Sequence, residues 1–427
     1  MGLDRENSPH FSRREWLTGA GSSLLLGASP VATPARAAQP QPVPVEADDP
    51  PFDLLIKGGK VLDPSQDLED LRDVAIRDGK IARLERDIPA AQARQVIDAS
   101  GKLVTPGLID LHTHVFPYVG PYGIEPDPYC LRKGVTTAVD AGTSGAFSFP
   151  AFRKFIILPA ATRVRALLHV VSIGMVAGDV GELHDLRYCD PHLAAKVADE
   201  NRDLIVGFKI RFSEAYTGPN DLEGLKRART AADQTRLPLM MHIGRSFTPL
   251  AQLLSLLKKG DVVTHSFNSL AHGIVDAEGK VTPEVHEARR RGVLFDVGHG
   301  SGSFSFEVME KCLHQGFLPD TISTDLYSTN IHGPVYDLPT TLSKFLLLGL
   351  NLREAFARCT VNAAQTFNFG AEIGTLKPGA EGDVSVLDLT TGDFTFTDSR
   401  RQTRQGRQKL LPVVTVRAGK LFYPEAG

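Results

Sequence analysis

Between residues 104 and 369, eight short apolar runs alternate with amphipathic stretches of helical periodicity. This alternation predicts an α/β fold of parallel strands joined by helices, which is typical of a (β/α)8 TIM-like barrel. The predicted strands are Leu108–His114, Val135–Ala141, Ala166–Ile173, Ile205–Phe212, Leu239–Ile243, Val262–Phe267, Val293–Val297 and Thr321–Leu326. Active sites of such barrels lie at the carboxyl ends of the strands, so reactive residues at those ends are the candidates for function.

The segments on both sides of the predicted barrel, which spans residues 105–369, contain shorter strands. Neither side has enough apolar surface for a stable sheet of its own. We therefore predict one small, structural β-sandwich domain that flanks the barrel and combines residues 53–104 with residues 370–427. Tight turns are expected at Gly58-Gly59 and Asp78-Gly79. The strands predicted for this domain are Leu54–Lys57, Lys60–Leu62, Val74–Arg77, Lys80–Ala82, Gly382–Asp388 and Val413–Lys420.

The amino terminus has the pattern of a targeting segment. Arg13 and Arg14 precede a short apolar stretch, and Ala35-Arg36-Ala37 offers small residues for cleavage. Residues 1–37 resemble a twin-arginine-type signal peptide, with Trp16 where the pattern more often has Phe. Residues 38–52 are expected to form a Pro-rich extended linker. The resemblance implies a partner, the twin-arginine export machinery, and an exported, periplasmic protein.

Composition restricts the classes of function. The formal net charge of -3 provides no basic field, so nucleic-acid binding is disfavoured, and the hydrophobic content of 42% is ordinary for a globular protein. The four cysteines are widely spaced and contain no C-x-x-C pair, so buried thiols are preferred, with one disulfide left open for an exported protein. Oligomeric state also stays open, a homo-oligomer being one alternative.

Residues able to bind a metal stand at the ends of five predicted strands. Side chains at i and i+2 of a strand share a face, so His112 and His114 project together. A lysine inside an apolar strand is costly unless it is paired or neutral, although Lys209 could instead extend to the barrel rim. Asp325 alone could cap the following helix. The full candidate metal-binding set is His112, His114, Lys209, His242, His265 and Asp325.

This set, in order and in strand position, resembles the binuclear pattern of the amidohydrolase superfamily. Val96–Ala99 and Gly379–Val384 also resemble segments of that superfamily. The resemblance implies that His112, His114 and Asp325 hold a more buried metal, and that His242 and His265 hold a more exposed one. It further implies two divalent ions, zinc being the first choice, bridged by N6-carboxylated Lys209 and a hydroxide. Asp325 is then the catalytic residue, which accepts a proton from the attacking water and passes it to the leaving group.

Three further segments, residues 295–306, 316–325 and 333–341, resemble the amidohydrolase/deacetylase metallohydrolases. That branch implies hydrolysis of an acyl amide or ester of a small α-amino or α-hydroxy acid. A dihydroorotase-like cyclic-amide hydrolase is the first alternative, and a nucleobase deaminase is the second. A metalloprotein that only binds its ligand is a third alternative, disfavoured because every metal-ligand position is filled.

Four residues are candidates for substrate binding. His299 follows the seventh predicted strand within a Gly-rich segment that allows close approach of the backbone. Arg211 and Arg245 follow metal-ligand positions and are able to bind a substrate carboxylate through paired hydrogen bonds. Tyr327 follows Asp325 by two residues. The remaining histidines, among them His169, are interpreted as structural or exposed.

Overall fold

A curled sheet of seven parallel strands lies at the centre of the structure, a computed structural model that describes residues 43–44 and 50–425. The predicted signal peptide, residues 1–37, and most of the predicted linker lie outside the described residues. The strands of the described part are β1 (Val43–Pro44), β2 (Phe52–Asp63), β3 (Leu68–Arg77), β4 (Lys80–Glu85), β5 (Ala93–Asp98), β6 (Leu103–Pro106), β7 (Leu108–Thr113), β8 (Val135–Gly145), β9 (Arg163–His169), β10 (Ile205–Arg211), β11 (Leu239–His242), β12 (Val262–Thr264), β13 (Leu294–Phe295), β14 (Val384–Thr397), β15 (Thr403–Arg417) and β16 (Lys420–Phe422).

Helices cover the outer side of the curled sheet and connect its strands. The α-helices are α1 (Pro126–Tyr129), α2 (Phe149–Phe152), α3 (Pro191–Glu200), α4 (Glu214–Thr217), α5 (Asp221–Thr235), α6 (Leu250–Ser255), α7 (Pro283–Arg290), α8 (Phe306–His314), α9 (Leu338–Leu347), α10 (Leu352–Ala357) and α11 (Val361–Thr366). Asp190 and Asp337 cap α3 and α9 by accepting hydrogen bonds from the first-turn amides. None of the helices among residues 50–425 has the length and apolar character needed to cross a membrane.

The curled sheet follows chain order from β7 at one edge to β13 at the other. The predicted eighth strand, residues 321–326, is not a regular strand, because Asp325 has a left-handed φ of 50°. It forms isolated parallel bridges instead, Thr321 with Asp296 beyond β13 and Leu326 with Thr113 of β7. The segment thus contacts both edges of the curled sheet, and the fold is TIM-barrel-like.

Observed strand ends differ from the predicted ones where the backbone leaves the extended conformation. The strand expected to end at Phe267 ends at Thr264, because His265 has a φ of 64°. The third strand spans Arg163–His169, so it begins and ends earlier than the predicted Ala166–Ile173. The seventh is shortened to Leu294–Phe295.

A second sheet of nine strands is built from both ends of the described chain, with its own apolar core. Strands β6 and β14 are antiparallel neighbours that pair Leu103 with Leu387 and Pro106 with Val384. The strands expected to form a sandwich are therefore connected in one hydrogen-bonded sheet. Its last amino-terminal strand extends to Pro106, two residues beyond the predicted boundary at 104.

The predicted turn at Gly58-Gly59 is wrong. Residues 52–63 form one strand, with a shift in its pairing to β3 between Ile56 and Gly59. Gly58 has a φ of 74° there, and Gly59 packs so closely on Val104 that a Cβ would overlap its side chain. The turn at Asp78-Gly79 is confirmed, with φ values of 50° and 73° that suit a two-residue hairpin. All four cysteines are buried and free, as preferred from their spacing.

Candidate active site

The six predicted metal-binding residues converge at the carboxyl ends of the curled sheet. The Asp325 Oδ1 atom lies 3.0 Å from His114 Nε2 and 3.3 Å from His112 Nε2. Lys209 Nζ lies 3.0 Å from His112 Nε2. Beside them, the rings of His242 and His265 have centroids 4.1 Å apart. One cavity of about 240 Å³ is lined by His114, Lys209, His242, His265 and Asp325 together.

The strand register aligns the carboxyl ends of β10, β11 and β12 at the site. Arg211 pairs with His242 across β10 and β11, and His242 pairs with Thr264 across β11 and β12. Residues i and i+2 share a face, so Lys209 and Arg211 both point toward the cavity that they line. Parallel pairing therefore brings together residues that are far apart in the sequence.

Hydrogen bonds fix which histidine nitrogen is free to bind a metal. Thr264 Oγ1 donates to Asp296 Oδ2 at 2.7 Å, so it accepts from the Nδ1–H of His112 at 2.8 Å. The Nδ1 of His265 lies 2.6 Å from the carbonyl oxygen of Gly298, which only accepts. In both rings Nε2 is therefore the unprotonated nitrogen. Donor atoms of His112, His265 and Asp325 lie within 4.8 Å of one another, so these residues fit a divalent cation.

Two glycines allow the loop after β13 to contact these ligands closely. Gly298 and Gly300 have φ values of 48° and 54°. A Cβ on Gly298 would lie 2.9 Å from His265 Nδ1, and one on Gly300 would overlap Asp325 Oδ2. At these two positions the Gly-rich segment closely approaches the candidate ligands, whereas its predicted approach to a substrate stays a prediction.

Burial favours the neutral form of His112, His265 and Lys209 among the candidate ligands. It lowers the pKa of His112 well below its ordinary value, and the nearby Lys209 lowers it further. Burial lowers the pKa of His265 to about 4, although the Asp325 carboxylate opposes this shift. For Lys209, burial lowers the pKa to about 8 against the opposing charge of Asp325. A larger fraction of Lys209 is therefore a free amine at neutral pH.

Arg211 lies in a buried polar group beside the proposed metal ligands. Its guanidinium pairs with Glu182, whose other oxygen lies 3.0 Å from His169 Nε2. The guanidinium carbon lies 3.8 Å from the ring centroid of Tyr216 and 5.5 Å from that of Tyr122. Among the described residues, Nε of Arg211 has no hydrogen-bond partner, and Arg211 lines the cavity.

The other three substrate-binding candidates have different environments. Tyr327 lines the cavity, and burial and the Asp325 charge raise its pKa. Arg245 is exposed and is not among the described residues that line the cavity. The prediction that His299 binds the substrate is corrected by its position in the structure. Its buried ring stacks on Phe304 with centroids 4.6 Å apart and accepts a hydrogen bond from Lys344, so it does not face the cavity.

Sequence reasoning missed two residues that support the site from outside the cavity, Glu182 beside Arg211 and Thr264 beside His112. His169, interpreted as structural or exposed, is buried and pairs with Glu182. Glu182 lies in a long connection after β9, and its position there gave no signal. Thr264 directly precedes His265, and its position opposite His242 in the strand pairing is the signal that could have identified it.

Fold and site together define a TIM-barrel-like, metal-dependent hydrolase, and comparison with known proteins agrees. The amidohydrolase family matches residues 103–420, and the chain belongs to that family. A deacetylase from Enterococcus faecalis is 35% identical over 374 residues, which cover 87% of this chain and 99% of the relative. A solved structure described as an adenine deaminase has a TM-score of 0.81 at 35% identity, covering 87% of this chain and all of its own.

Another solved structure, described as a dihydroorotase, has a TM-score of 0.79 at 32% identity, covering 87% of this chain and 99% of its own. These similarities confirm the predicted superfamily. The protein is a metal-dependent amidohydrolase that acts on C–N bonds. The similar proteins have three different activities in their descriptions, so family membership leaves the substrate to be argued from the site.

Replacement of Thr264 by Val should weaken metal binding, because His112 loses the acceptor that fixes its Nδ1–H. We expect affinity for zinc to fall about 10- to 100-fold, as is usual for partners of metal ligands. Competition with a fluorescent chelator measures the affinity. Ser266→Ala is the matched control, since its hydroxyl donates to the carbonyl of Val263 instead. Equal affinities in the two variants would contradict the role of Thr264.

Glu182 should make the free energy of unfolding depend on pH in the acid range. Burial opposes its ionisation, but Arg211 and the His169 hydrogen bond lower its pKa from 4.5 to about 2. A lowered pKa contributes stability that is complete above the unfolded value of 4.5 and is lost as the pH falls toward 2. In urea titrations, the stability difference between wild type and Glu182→Gln should be constant near neutral pH and shrink below pH 4.5. A constant difference throughout would show that the pair does not lower this pKa.

Proposed function

We propose that this amidohydrolase removes an acyl group, attached as an amide or ester, from a small α-amino or α-hydroxy acid. One observation carries the proposal. A cavity lined by five of the six candidate metal ligands, Asp325 among them, is also lined by the cationic side chain of Arg211. A cation beside the reacting groups suits a substrate with a carboxylate next to the scissile bond. The 35% identity to a deacetylase over nearly its whole length supports the same reaction.

We propose two divalent metal ions, with zinc as the first choice because imidazole and carboxylate oxygen are suitable zinc ligands. His112, His114 and Asp325 would hold one ion, and His242 and His265 would hold the other. Lys209, buried and with a pKa of about 8, would be carboxylated by carbon dioxide and bridge them. When bound, the ions supply electrophilic activation of the scissile carbonyl and of the attacking water. Incubation with ¹³C-bicarbonate, followed by ¹³C NMR, tests for the carbamate, and its absence from the zinc-loaded protein would refute the carboxylation.

The protein's own residues would divide the remaining roles. Asp325 has one carboxylate oxygen between two histidines, and this position suits a group that accepts the proton of water and transfers it to the leaving atom. Arg211 would bind the substrate carboxylate, and the Glu182 pair would fix the orientation of its guanidinium. Tyr327 would border the acyl group, and the loop of residues 301–303 would restrict access of water to the cavity that it lines.

Three further proposals concern closure of the barrel, export and the oligomeric state. The segment of residues 321–326 would act as the eighth strand and close a (β/α)8 barrel. Residues 1–37 would direct export to the periplasm through the twin-arginine machinery, which cell fractionation of the full-length protein tests. Recovery in the cytoplasm alone would refute the export proposal.

The third proposal is that the protein forms a homo-oligomer. Sedimentation analysis tests this, and a monomer in solution would refute it.

A product assay on the zinc-loaded protein in bicarbonate tests the reaction. The substrates would be N-acetyl and O-acetyl derivatives of both enantiomers of small α-amino and α-hydroxy acids, with dihydroorotate and adenine. We expect acetate release with one enantiomer preferred. Ring opening or ammonia release without acetate would favour the alternatives that the dihydroorotase and adenine deaminase structures suggest. Asp325→Asn should abolish turnover with an unchanged circular dichroism spectrum, and wild-type turnover in it would refute the role of Asp325.

Arg211→Met should raise KM for acidic substrates by about 10- to 100-fold. This change corresponds to the free energy that a hydrogen bond to a charged group contributes to binding. The esterified, uncharged form of the same substrate should be much less affected. Because Arg211→Met leaves Glu182 as a buried charge without its arginine partner, the double variant with Glu182→Gln guards against misfolding. Arg245→Met is the matched control at an exposed arginine. Equal KM changes for Arg211 and Arg245 variants would exclude Arg211 as the carboxylate-binding residue.

A further inference from the structure

The loop after β13 is held from its outer side by a buried lysine of α9. Lys344 is 1% exposed, and its Nζ lies 2.7 Å from His299 Nε2 and 2.8 Å from the carbonyl oxygens of Pro334 and Thr397. These acceptors belong to the loop after β13, the segment before α9 and the end of β14. One ammonium group therefore joins three parts of the chain that are distant in sequence.

The donors and acceptors at Lys344 match completely. The Nδ1 of His299 lies 2.9 Å from the carbonyl oxygen of Gly300, so it carries the proton and leaves Nε2 as an acceptor. An ammonium group has three N–H donors, and each has one partner here. Burial lowers the pKa of Lys344 to about 7, opposed by Asp398 and Asp337 and assisted by Lys409. A buried lysine is costly unless such bonds are made, so an apolar residue would serve packing alone better.

The tip of the β14–β15 hairpin holds the same loop. Ser399 Oγ lies 2.8 Å from the carbonyl oxygen of Gly300 and 3.1 Å from that of His299. The backbone of Ser399 donates to Phe304 at 3.1 Å, and Asp398 accepts from the amide of Phe306 at 3.0 Å. This hairpin belongs to the second sheet, which was expected to have only a structural role. The second sheet therefore contacts a loop that lines the active-site cavity.

The inner side of that loop faces the catalytic carboxylate. The amide of Gly300 donates to the carbonyl oxygen of Thr324 at 2.9 Å, next to Asp325. Gly300 is so close to Asp325 Oδ2 that a Cβ would overlap it. Residues 301–303 follow directly and line the cavity. A displacement of the loop would therefore change both the surroundings of Asp325 and the shape of the cavity.

We propose that Lys344 and Ser399 are positioning residues, which hold the loop of residues 298–303 against Asp325 and so connect the second sheet to the active site. Neither residue lines the cavity in the described part of the chain, and both act through the loop. The inference depends on where the site lies and not on which acyl substrate it takes. Two independent contacts, a side chain of α9 and a hairpin of the second sheet, lead to the same loop.

The test compares Lys344→Met and Ser399→Ala with wild type by hydrogen–deuterium exchange of peptides covering residues 298–306. Both variants should exchange faster in these peptides, with the rest of the chain unchanged. Ser399→Thr keeps the hydroxyl and should restore slow exchange. Lys409→Met is the matched control, because Lys409 lines the same outer cavity as Lys344. Wild-type exchange in both Lys344→Met and Ser399→Ala, or faster exchange spread over the whole chain, would overturn the proposal.

Kinetics give a second readout with the substrate found in the product assay. Displacement of positioned groups is expected to lower kcat about tenfold or more, while KM changes little and Lys409→Met matches wild type. A kcat loss equal to the loss of folded protein would show a merely structural role and overturn the proposal. If the wild type cleaves no acyl substrate, the proposed function fails, and exchange alone decides the role of Lys344. If Lys344→Met does not fold, Ser399→Ala and Ser399→Thr decide.

Discussion

Asp325 both joins residues 321–326 to the first strand of the curled sheet and enters the candidate active site. Its amide donates to the carbonyl oxygen of His112 at 2.7 Å, which fastens residues 321–326 to the first strand. Its φ of 50° turns the carboxylate toward His112 and His114. A left-handed conformation is unfavourable for a non-glycine residue and is retained where the surroundings enforce it. The same backbone conformation that interrupts the extended segment of residues 321–326 therefore brings the candidate catalytic carboxylate between its imidazole neighbours.

The ligands are in turn held by a layer of buried hydroxyl and carboxyl groups beneath them. Asp296 accepts a hydrogen bond from Thr264, which fixes the tautomer of His112. Thr143 takes an equivalent position 2.8 Å from Nδ1 of His114. Burial raises the pKa of Asp296, and three hydroxyl donors oppose that shift. Hydroxyl groups orient the rings without adding positive charge, so the divalent cations that the donors fit would meet little repulsion from this layer.

Strand periodicity predicted the placement of the candidate metal ligands that lie on strands, and loop conformation made the outer residues unpredictable. His112 and His114, two residues apart on one strand, can project only to the same face. Arg211, two residues after Lys209 on β10, follows the same rule and lines the cavity. Arg245 follows β11 in a left-handed turn with a φ of 55°, and no strand rule applies there. His299 lies one residue after Gly298, and positive φ values on both sides of it direct its ring away from the cavity.

In the second sheet too, local sequence patterns were predictable and long-range contacts were not. Its strands were recognisable from alternation and turn residues, and their sharing between the chain ends followed from the small apolar surface of each half. Its catalytic relevance was not visible, because Ser399 contacts the loop of residues 298–303 only through tertiary structure. The sequence of a hairpin tip does not indicate which loop the tip contacts in the folded protein. The prediction of a turn at Gly58-Gly59 was wrong for a similar reason, because close packing on Val104 favours a bulge within the strand over a reversal of chain direction.

The pairing of β6 with β14 has a consequence for biosynthesis. Leu103 meets Leu387 only after most of the chain has left the ribosome. Until then, β6 presents unpaired backbone groups along an apolar edge, which is a template for association with other chains. Residues 384–387 therefore pair with β6, and cover its edge, only late in the synthesis of the protein. A chain that terminates before them would contain all of the candidate metal-binding residues and an edge open to aggregation.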